Sequence, residues 1–192
     1  MKLYFLRHGH RSFGKKQDTL TTIGKEQAKR TVKFFSNIKI NKIICGTSNR
    51  AKKTAIPIIK RLGYKATYTN YVNEQSLGIF EGKSKKDWKE AVKLSGLPED
   101  EFRPKGGENR QDAYERAKKF VNMLKKEKAE NILIISHAGF ISDAITLLLN
   151  LPKEESAHFK TGFCAISYFE LNDKFKVRDF YIGNLTHLAK KD

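Results

Sequence analysis

The stretch that decides the fold is residues 1–10, M-K-L-Y-F-L-R-H-G-H. Its first six residues form a short, mostly apolar run with an aromatic pair, which predicts a buried β-strand. Arg7, His8 and a Gly-His pair follow this strand at once. Ligands bind at the carboxyl ends of the strands in an α/β sheet, so the cation and the imidazoles are candidate site residues.

Two later apolar runs end in the same way. Residues 42–45 (K-I-I-C) lead into G-T-S-N-R, which ends at Arg50, and residues 131–135 (N-I-L-I-I) lead into S-H-A-G, which contains His137. Helical patterns separate these runs, so the strands should be parallel. Because the carboxyl ends of parallel strands open on one edge of a sheet, we expect the three polar segments to converge.

The alternation of strands and helices predicts an α/β fold. We expect one three-layer α/β/α domain over residues 1–192, with a mostly parallel central sheet and helices on both faces. Residues 165–170 and 175–182 predict an antiparallel pair of strands, and residues 83–105 predict a small cap-like insertion. Helices are expected at residues 108–128 and 140–149, among others.

The composition is strongly basic, with 38 Lys and Arg against 21 Asp and Glu and a formal net charge of +17. Such a charge invites a nucleic-acid interpretation. The lysines, however, are scattered over almost every segment, and no known nucleic-acid motif is present. We therefore interpret the charge as a solvated lysine-rich surface that also attracts small anions such as phosphate esters. An inactive basic nucleic-acid-binding domain on the same fold is kept as an alternative.

The remaining composition points to an intracellular protein. Cys45 and Cys164 lie in strand-like runs, and we expect buried free thiols in a reducing compartment. The N-terminal apolar run is too short for a signal peptide, and no stretch approaches the length of a membrane span. We expect a cytoplasmic protein without a membrane partner, as a monomer or homodimer.

The polar segments hold two arginines and two histidines, and this set predicts an anion site. Arginine binds oxyanions through its fork of donors, and two arginines in one pocket repel each other unless an anion lies between them. Phosphate is the natural guest, with helix N-termini as further donors. A neutral histidine beside it can attack phosphorus, and a carboxylic acid is then needed to protonate the leaving oxygen.

These residues carry a resemblance to the histidine phosphatase superfamily, also called the phosphoglycerate mutase-like family. The matching motifs follow one another along the whole chain: L-R-H-G at 6–9, L-T-x-x-G-x-x-Q-A at 20–28, S-x-R-A-x-x-T-A at 48–55, E-x-x-x-G-x-F-E-G at 74–82, G-G-E at 106–108 and S-H-A-G at 136–139. The C-terminal N-L-T-H-L at 184–188 resembles the family's ending.

The resemblance implies a set of roles. His8 would be the nucleophile and would be transiently phosphorylated, while Arg7, Arg50 and His137 would hold the phosphoryl oxygens. Glu74 would protonate the leaving alcohol and then take a proton from the attacking water. No metal and no organic cofactor are implied.

The chain departs from the family pattern after the first motif. His10 stands where the family commonly has Glu, Gln or Thr, and R-S-F-G at 11–14 lacks the usual [ST]-x-x-N contacts to phosphate. Arg11 and Ser12 are the candidate substitutes for those contacts. Ala138, part of a small Ala-Gly pair that leaves room for close approach, completes the predicted substrate-binding set.

Three other interpretations of single residues stay open at this point. His8 and His10 could be metal ligands, although arginines beside a cation are unfavourable. His137 taken alone could be a structural histidine. Glu81 is a rival to Glu74 as the acid.

The predicted reaction is hydrolysis of a small phosphate monoester, and the predicted partner is a small phosphorylated metabolite or inorganic phosphate. Mutases of the family usually carry E-R-H-Y-G where this chain has E-Q-S-L-G at 74–78. In those mutases the Arg, His and Tyr side chains help hold phosphoglycerate, and this chain has none of the three in the loop. This favours a phosphatase, with phosphoglycerate mutase as the alternative.

Overall fold

Strand formation follows the apolar runs of the sequence. The structure is a computed structural model that describes residues 1–12 and 18–189. In these residues one sheet contains six strands, namely β1 (Lys2–Arg7), β2 (Lys42–Cys45), β3 (Ala66–Tyr68), β4 (Asn131–Ser136), β5 (Ile166–Leu171) and β6 (Val177–Asn184). Their order is β3-β2-β4-β1-β5-β6. The first four are parallel, whereas β5 and β6 are antiparallel to their neighbours, which confirms the mostly parallel sheet.

Helices cover both faces of this sheet, as predicted. They are α1 (Thr22–Phe35), α2 (Asn49–Leu62), α4 (Arg110–Leu124) and α5 (Ala138–Leu148), whereas α3 (Lys85–Ser95) lies in the segment 83–105 and joins neither buried cluster. Leu3 and Phe5 pack in one buried cluster with residues of α4 and α5. Tyr4 and Leu6 pack in a second cluster with residues of α1 and α2. A strand buried on both faces is apolar at successive positions, which explains the unbroken run at the N-terminus.

Two helices, α4 and α5, have boundaries that differ from the expectation. Helix α4 spans 110–124 rather than 108–128, because Asn109 and Asp112 form a capping box that starts it later. Its C-terminal end is followed by turns that lead into β4. Helix α5 begins at Ala138 rather than 140, directly after His137 in extended conformation. The histidine therefore lies at the junction between strand and helix.

The register of the strands places the polar segments side by side. Arg7 of β1 lies opposite Ser136 of β4, and Cys45 of β2 lies opposite Ile135 of β4. The carboxyl ends of β1, β4 and β2 are therefore adjacent. Strand β5 runs antiparallel to β1 and begins at this same edge, so the residues just before Ile166 join it.

The segment 83–105 contains α3, which begins at a Ser84–Asp87 capping box and ends at Gly96 in the left-handed conformation. No residue of α3 is buried. Both cysteines are buried and free, in agreement with the sequence. Within the described ranges, we find no helix with the length and apolar content that a bilayer crossing requires.

Candidate active site

His8 follows β1 directly and is held by the main chain. Its backbone N–H donates to the Ser136 carbonyl over 2.9 Å. The ring Nδ1 lies 2.8 Å from the Gly9 carbonyl oxygen and therefore carries the proton that it donates. This tautomer leaves the lone pair on Nε2. The side chain is only 3% exposed.

The surroundings of His8 keep the imidazole neutral. Burial is the largest cause and lowers its pKa to about 3, and the positive charges of Arg50, Arg7 and Arg11 act in the same direction. The hydrogen bond to Gly9 opposes this shift but does not outweigh it. At neutral pH the ring is an uncharged nucleophile surrounded by cations.

His137 lies beside His8, with 5.1 Å between the ring centroids. It is fully buried, and Nε2 lies 3.2 Å from the Ser48 hydroxyl. Ser48 also accepts from the backbone N–H of Ala51, and its hydroxyl proton can be donated to Nε2. In that tautomer Nδ1 carries the ring hydrogen. Burial, followed by the charge of Arg50, holds the pKa of His137 well below its usual value.

Two arginines flank the histidines from different elements. Arg7 donates to the Thr161 carbonyl and lies 4.1 Å over the centre of the Phe163 ring. Arg50, in the first turn of α2, is paired with Asp18. The second oxygen of the Asp18 carboxylate accepts from the Asn49 backbone N–H over 2.7 Å.

Buried donors in this cluster lack partners. Among the described residues, Arg7 Nε, Arg50 Nε and His137 Nδ1 are buried without a hydrogen-bond partner. A buried donor left unpaired costs about 1–3 kcal/mol. A tetrahedral oxyanion would supply acceptors to such groups, so the donor set fits the predicted phosphoryl guest.

The other predicted substrate-binding residues lie around this cluster. Arg11 forms an isolated antiparallel bridge with Leu20, and burial first and the charge of Arg50 second lower the pKa of its guanidinium. The Ser12 hydroxyl donates to the Thr19 carbonyl over 3.4 Å and is thus engaged with the main chain. Ala138 lines the cavity described below. Phe13 and Gly14, the remainder of the segment that departs from the family pattern, lie outside the described residues.

Glu74 reaches the same edge from the loop after β3. Its Oε2 accepts from the Gly139 backbone N–H over 3.3 Å, at the start of α5. Arg116 of α4 holds the loop by donating to the carbonyls of Asn73 and Glu74. Glu81, the rival acid, is exposed and accepts from the Leu77 N–H over 2.9 Å, which is a contact within its own loop.

The G-G-E motif supports this loop. Glu108 pairs with Arg116 at 2.7 Å and accepts from the Ser76 backbone N–H over 3.0 Å. Burial alone would raise the pKa of Glu108, but its bonds to Arg116 and Ser76 bring the pKa below its usual value. The ion pair is therefore a brace for the loop that carries Glu74.

A cavity of about 470 Å³ opens beside these groups. Arg7, Glu74, Ala138 and Gly139 line it, together with Arg110 of α4. Arg110 makes a two-pronged ion pair with the buried Asp143 and also donates to Ser156 over 2.8 Å. A ligand in this cavity would contact the acid Glu74 and, of the two arginines of the predicted anion site, Arg7.

His10 supports the loop from outside this cluster. Its Nδ1 lies 2.9 Å from the Thr21 hydroxyl, its backbone N–H donates to Gln27, and its ring packs on Phe163. A Cβ on Gly24 would lie 2.0 Å from the His10 carbonyl oxygen, so only glycine lets α1 approach this closely. These contacts account for Thr21, Gly24 and Gln27 of the L-T-x-x-G-x-x-Q-A motif. No group of three or more His, Cys, Asp or Glu side chains suited to a metal ion occurs in residues 1–12 and 18–189.

Four residues of the site were missed by the sequence analysis: Asp18, Arg110, Thr161 and Phe163. Thr161 and Phe163 precede β5, which is antiparallel to β1, so they lie at the carboxyl end of β1. A prediction that β5 pairs with β1 would have indicated them. Asp18 and Arg110 lie in segments without a strand end, and we find no local signal for either.

Comparison with known proteins gives a consistent assignment. The model of the histidine phosphatase superfamily (branch 1) matches residues 3–181. The adenosylcobalamin/alpha-ribazole phosphatase of Escherichia coli is 26% identical, with 91% of this chain and 92% of that protein covered. The glucosyl-3-phosphoglycerate phosphatase of Mycolicibacterium vanbaalenii is 24% identical, with 79% and 75% covered. The crystal structure of the alpha-ribazole phosphatase from Shigella flexneri shares the fold, with a TM-score of 0.83, 24% identity and 96% of each chain covered.

Proposed function

The chain belongs to the histidine phosphatase superfamily, and from that premise we propose that it hydrolyses small-molecule phosphate monoesters through a phosphohistidine on His8, without a metal ion. One observation carries this proposal. The buried, neutral His8 keeps its Nε2 lone pair while unpartnered buried donors of Arg7 and Arg50 lie in the same cluster. Relatives that are named phosphatases of small phosphate esters support the reaction class.

In the first step Nε2 of His8 attacks phosphorus, and the bond from phosphorus to the ester oxygen breaks. Arg7, Arg50 and His137 hold the three peripheral oxygens and stabilise the charge that develops on them. Protonated Glu74 donates its proton to the departing alkoxide, so the alcohol leaves neutral. The products are free alcohol, phospho-His8 and ionised Glu74.

In the second step water attacks phospho-His8. Glu74, now a carboxylate, takes a proton from the water, and the bond from phosphorus to Nε2 breaks. Inorganic phosphate leaves, and both His8 and Glu74 return to their starting states. The hydrogen bond from Nδ1 to the Gly9 carbonyl keeps the ring oriented through both steps.

The proposed steps use no metal ion, because Arg7 and Arg50 supply the positive charge next to the phosphoryl group. Guanidinium groups and the N-terminal backbone of α2 and α5 supply positive potential where an ion would otherwise be needed. A mutase would instead have to retain phosphate on the enzyme and return it to a second hydroxyl. The loop Gln75-Ser76-Leu77 lacks the residues that would favour this outcome.

A steady-state assay on ribose 5-phosphate with and without EDTA tests the proposal. We expect EDTA-resistant release of phosphate, loss of activity in His8→Ala, and an acid-labile phosphoenzyme in wild type alone. Full activity of His8→Ala, or abolition by EDTA, would overturn the mechanism. Salt-dependent binding of DNA or RNA with no phosphatase activity would favour the nucleic-acid alternative.

A further inference from the structure

A second cavity of about 740 Å³ lies next to the first, between the loop that carries Glu74 and the segment 83–105. The two cavities share Gln75 and Arg110 as lining residues. Gln75 follows the acid directly in sequence. An alcohol that receives a proton from Glu74 in the first cavity therefore lies close to a residue, Gln75, that also lines the second cavity.

One wall of this second cavity is apolar and aromatic. Leu77, Phe80 and Trp88 form it. The Phe80 and Trp88 rings meet edge to face with centroids 5.7 Å apart, and the indole N–H donates to Glu99 over 2.7 Å. These contacts fix both rings although no residue of α3 is buried. A wall of oriented rings suits a flat partner.

Three lysines stand around the same cavity, Lys83, Lys85 and Lys89. All three are exposed, and none forms an ion pair with a described carboxylate. They outnumber the two acidic residues of the lining, Glu99 and Asp100, and the Glu99 carboxylate already accepts from the Trp88 indole. The Lys83 ammonium lies 4.8 Å over the Phe80 ring. Positive charge is thus placed beside the aromatic wall, where it would attract an anionic group on a bound ring.

We propose that this second cavity binds the alcohol part of the substrate, and that this part carries a planar ring bearing a second anionic group. The inference rests on the proposed phosphatase activity, since the occupant of the cavity is the leaving group of that reaction. It narrows the substrate class from small phosphate monoesters in general to anionic ring-bearing ones.

A series of three substrates tests the two features separately. Ribose 5-phosphate has no ring base, uridine 5′-monophosphate adds a planar base, and orotidine 5′-monophosphate adds one carboxylate to that base. We expect kcat/KM to rise along the series. Trp88→Ala should lower the ratio of uridine 5′-monophosphate to ribose 5-phosphate about tenfold, since stacking on an aromatic side chain is worth this much. The readout is the ratio of the two kcat/KM values, so a loss of activity that both substrates share does not count as support.

Matched variants on the same helix serve as controls. Leu94→Ala removes an apolar side chain that is 82% exposed and does not line the cavity, so the ratio should not change. Lys89→Ala should lower the ratio of orotidine to uridine 5′-monophosphate several-fold. Lys86→Ala, which removes the same charge from a position outside the cavity, should not.

The outcomes separate this inference from the proposed function. Hydrolysis of ribose 5-phosphate that depends on His8, together with equal ratios in wild type, Trp88→Ala and Lys89→Ala, would overturn the inference alone. Absence of His8-dependent hydrolysis of all three esters would overturn the proposed function. A fall in the ratios that is equally large in Leu94→Ala and Lys86→Ala would assign the effect to α3 as a whole and would also overturn the inference.

Discussion

The carboxylate of Glu74 occupies the space that a side chain at residue 139 would need: a Cβ built on Gly139 would lie 2.3 Å from Glu74 Oε1. The Gly139 backbone N–H also donates to Glu74 Oε2. The two residues are 65 positions apart in sequence. Gly139, two positions after His137, thus makes room for the proposed acid, so a small residue here is needed for Glu74 as well as for the substrate.

Gly139→Ala should displace the Glu74 carboxylate and remove acid catalysis. We expect kcat/KM for an alkyl phosphate such as ribose 5-phosphate, which reports the steps up to departure of the alcohol, to fall by about 10²-fold or more, the usual contribution of a positioned acid. The kcat/KM for 4-nitrophenyl phosphate should fall much less, because its leaving group needs no proton. Glu74→Gln should show the same dependence on the leaving group. Equal losses on both substrates in Gly139→Ala would contradict displacement of the acid.

Asp18→Asn should tighten the binding of inorganic phosphate. The Asp18 carboxylate pairs with the Arg50 guanidinium, and its negative charge repels a phosphate dianion bound to the same guanidinium. Because Asp18 is partly exposed, we expect about 1 kcal/mol or less, seen as a several-fold lower inhibition constant for phosphate. Asp173→Asn makes the same change in net charge on the distant turn before β6 and should have little effect. Weaker phosphate binding in Asp18→Asn would show that its main role is to orient Arg50.

The stability of the protein should depend on the neutral state of His8. Its pKa is about 3 in the folded protein and about 6.5 in the unfolded chain, so the unfolded state binds more protons between these values. Its contribution to stability is complete above pH 6.5 and declines as the pH falls towards 3. Urea unfolding without phosphate should show wild type losing up to about 1.4 kcal/mol per pH unit more than His8→Asn between pH 6 and 4. Parallel curves for the two proteins would contradict a depressed pKa.

Arg116→Ala should impair both the fold and the reaction, because Arg116 holds the Glu74 loop by its main chain and pairs with Glu108. Both side chains of this pair are mostly buried, with 17% and 22% exposure. We expect a loss of about 2 kcal/mol in the free energy of unfolding, less than for a fully buried pair. We also expect a lower kcat on alkyl phosphates. Arg103→Ala breaks the more exposed pair with Asp112 and should cost less than about 1 kcal/mol with kcat unchanged.

The sequence predicts most of the fold because the main signals are local. A run such as residues 1–6 identifies a strand by its composition, and Ser48 and Gly63 delimit a helix by capping chemistry. The limits of α4 and α5 were less accurate. A capping box at Asn109 competes with the helical pattern that begins before it, and periodicity does not show which start is used.

The sequence alone determined which residues lie at the ends of buried strands. Arg7, His8 and His137 are among them, because each apolar run and the polar residues that follow it are adjacent in sequence. The tertiary structure decided what those residues meet. Three contacts join segments that are distant in sequence: Asp18 with Arg50, Phe163 with Arg7, and Glu74 with Gly139. The strand order, the strand register and the approach of the helices bring these segments together. Local periodicity carries no information on such distances, because they depend on how the whole sheet is assembled.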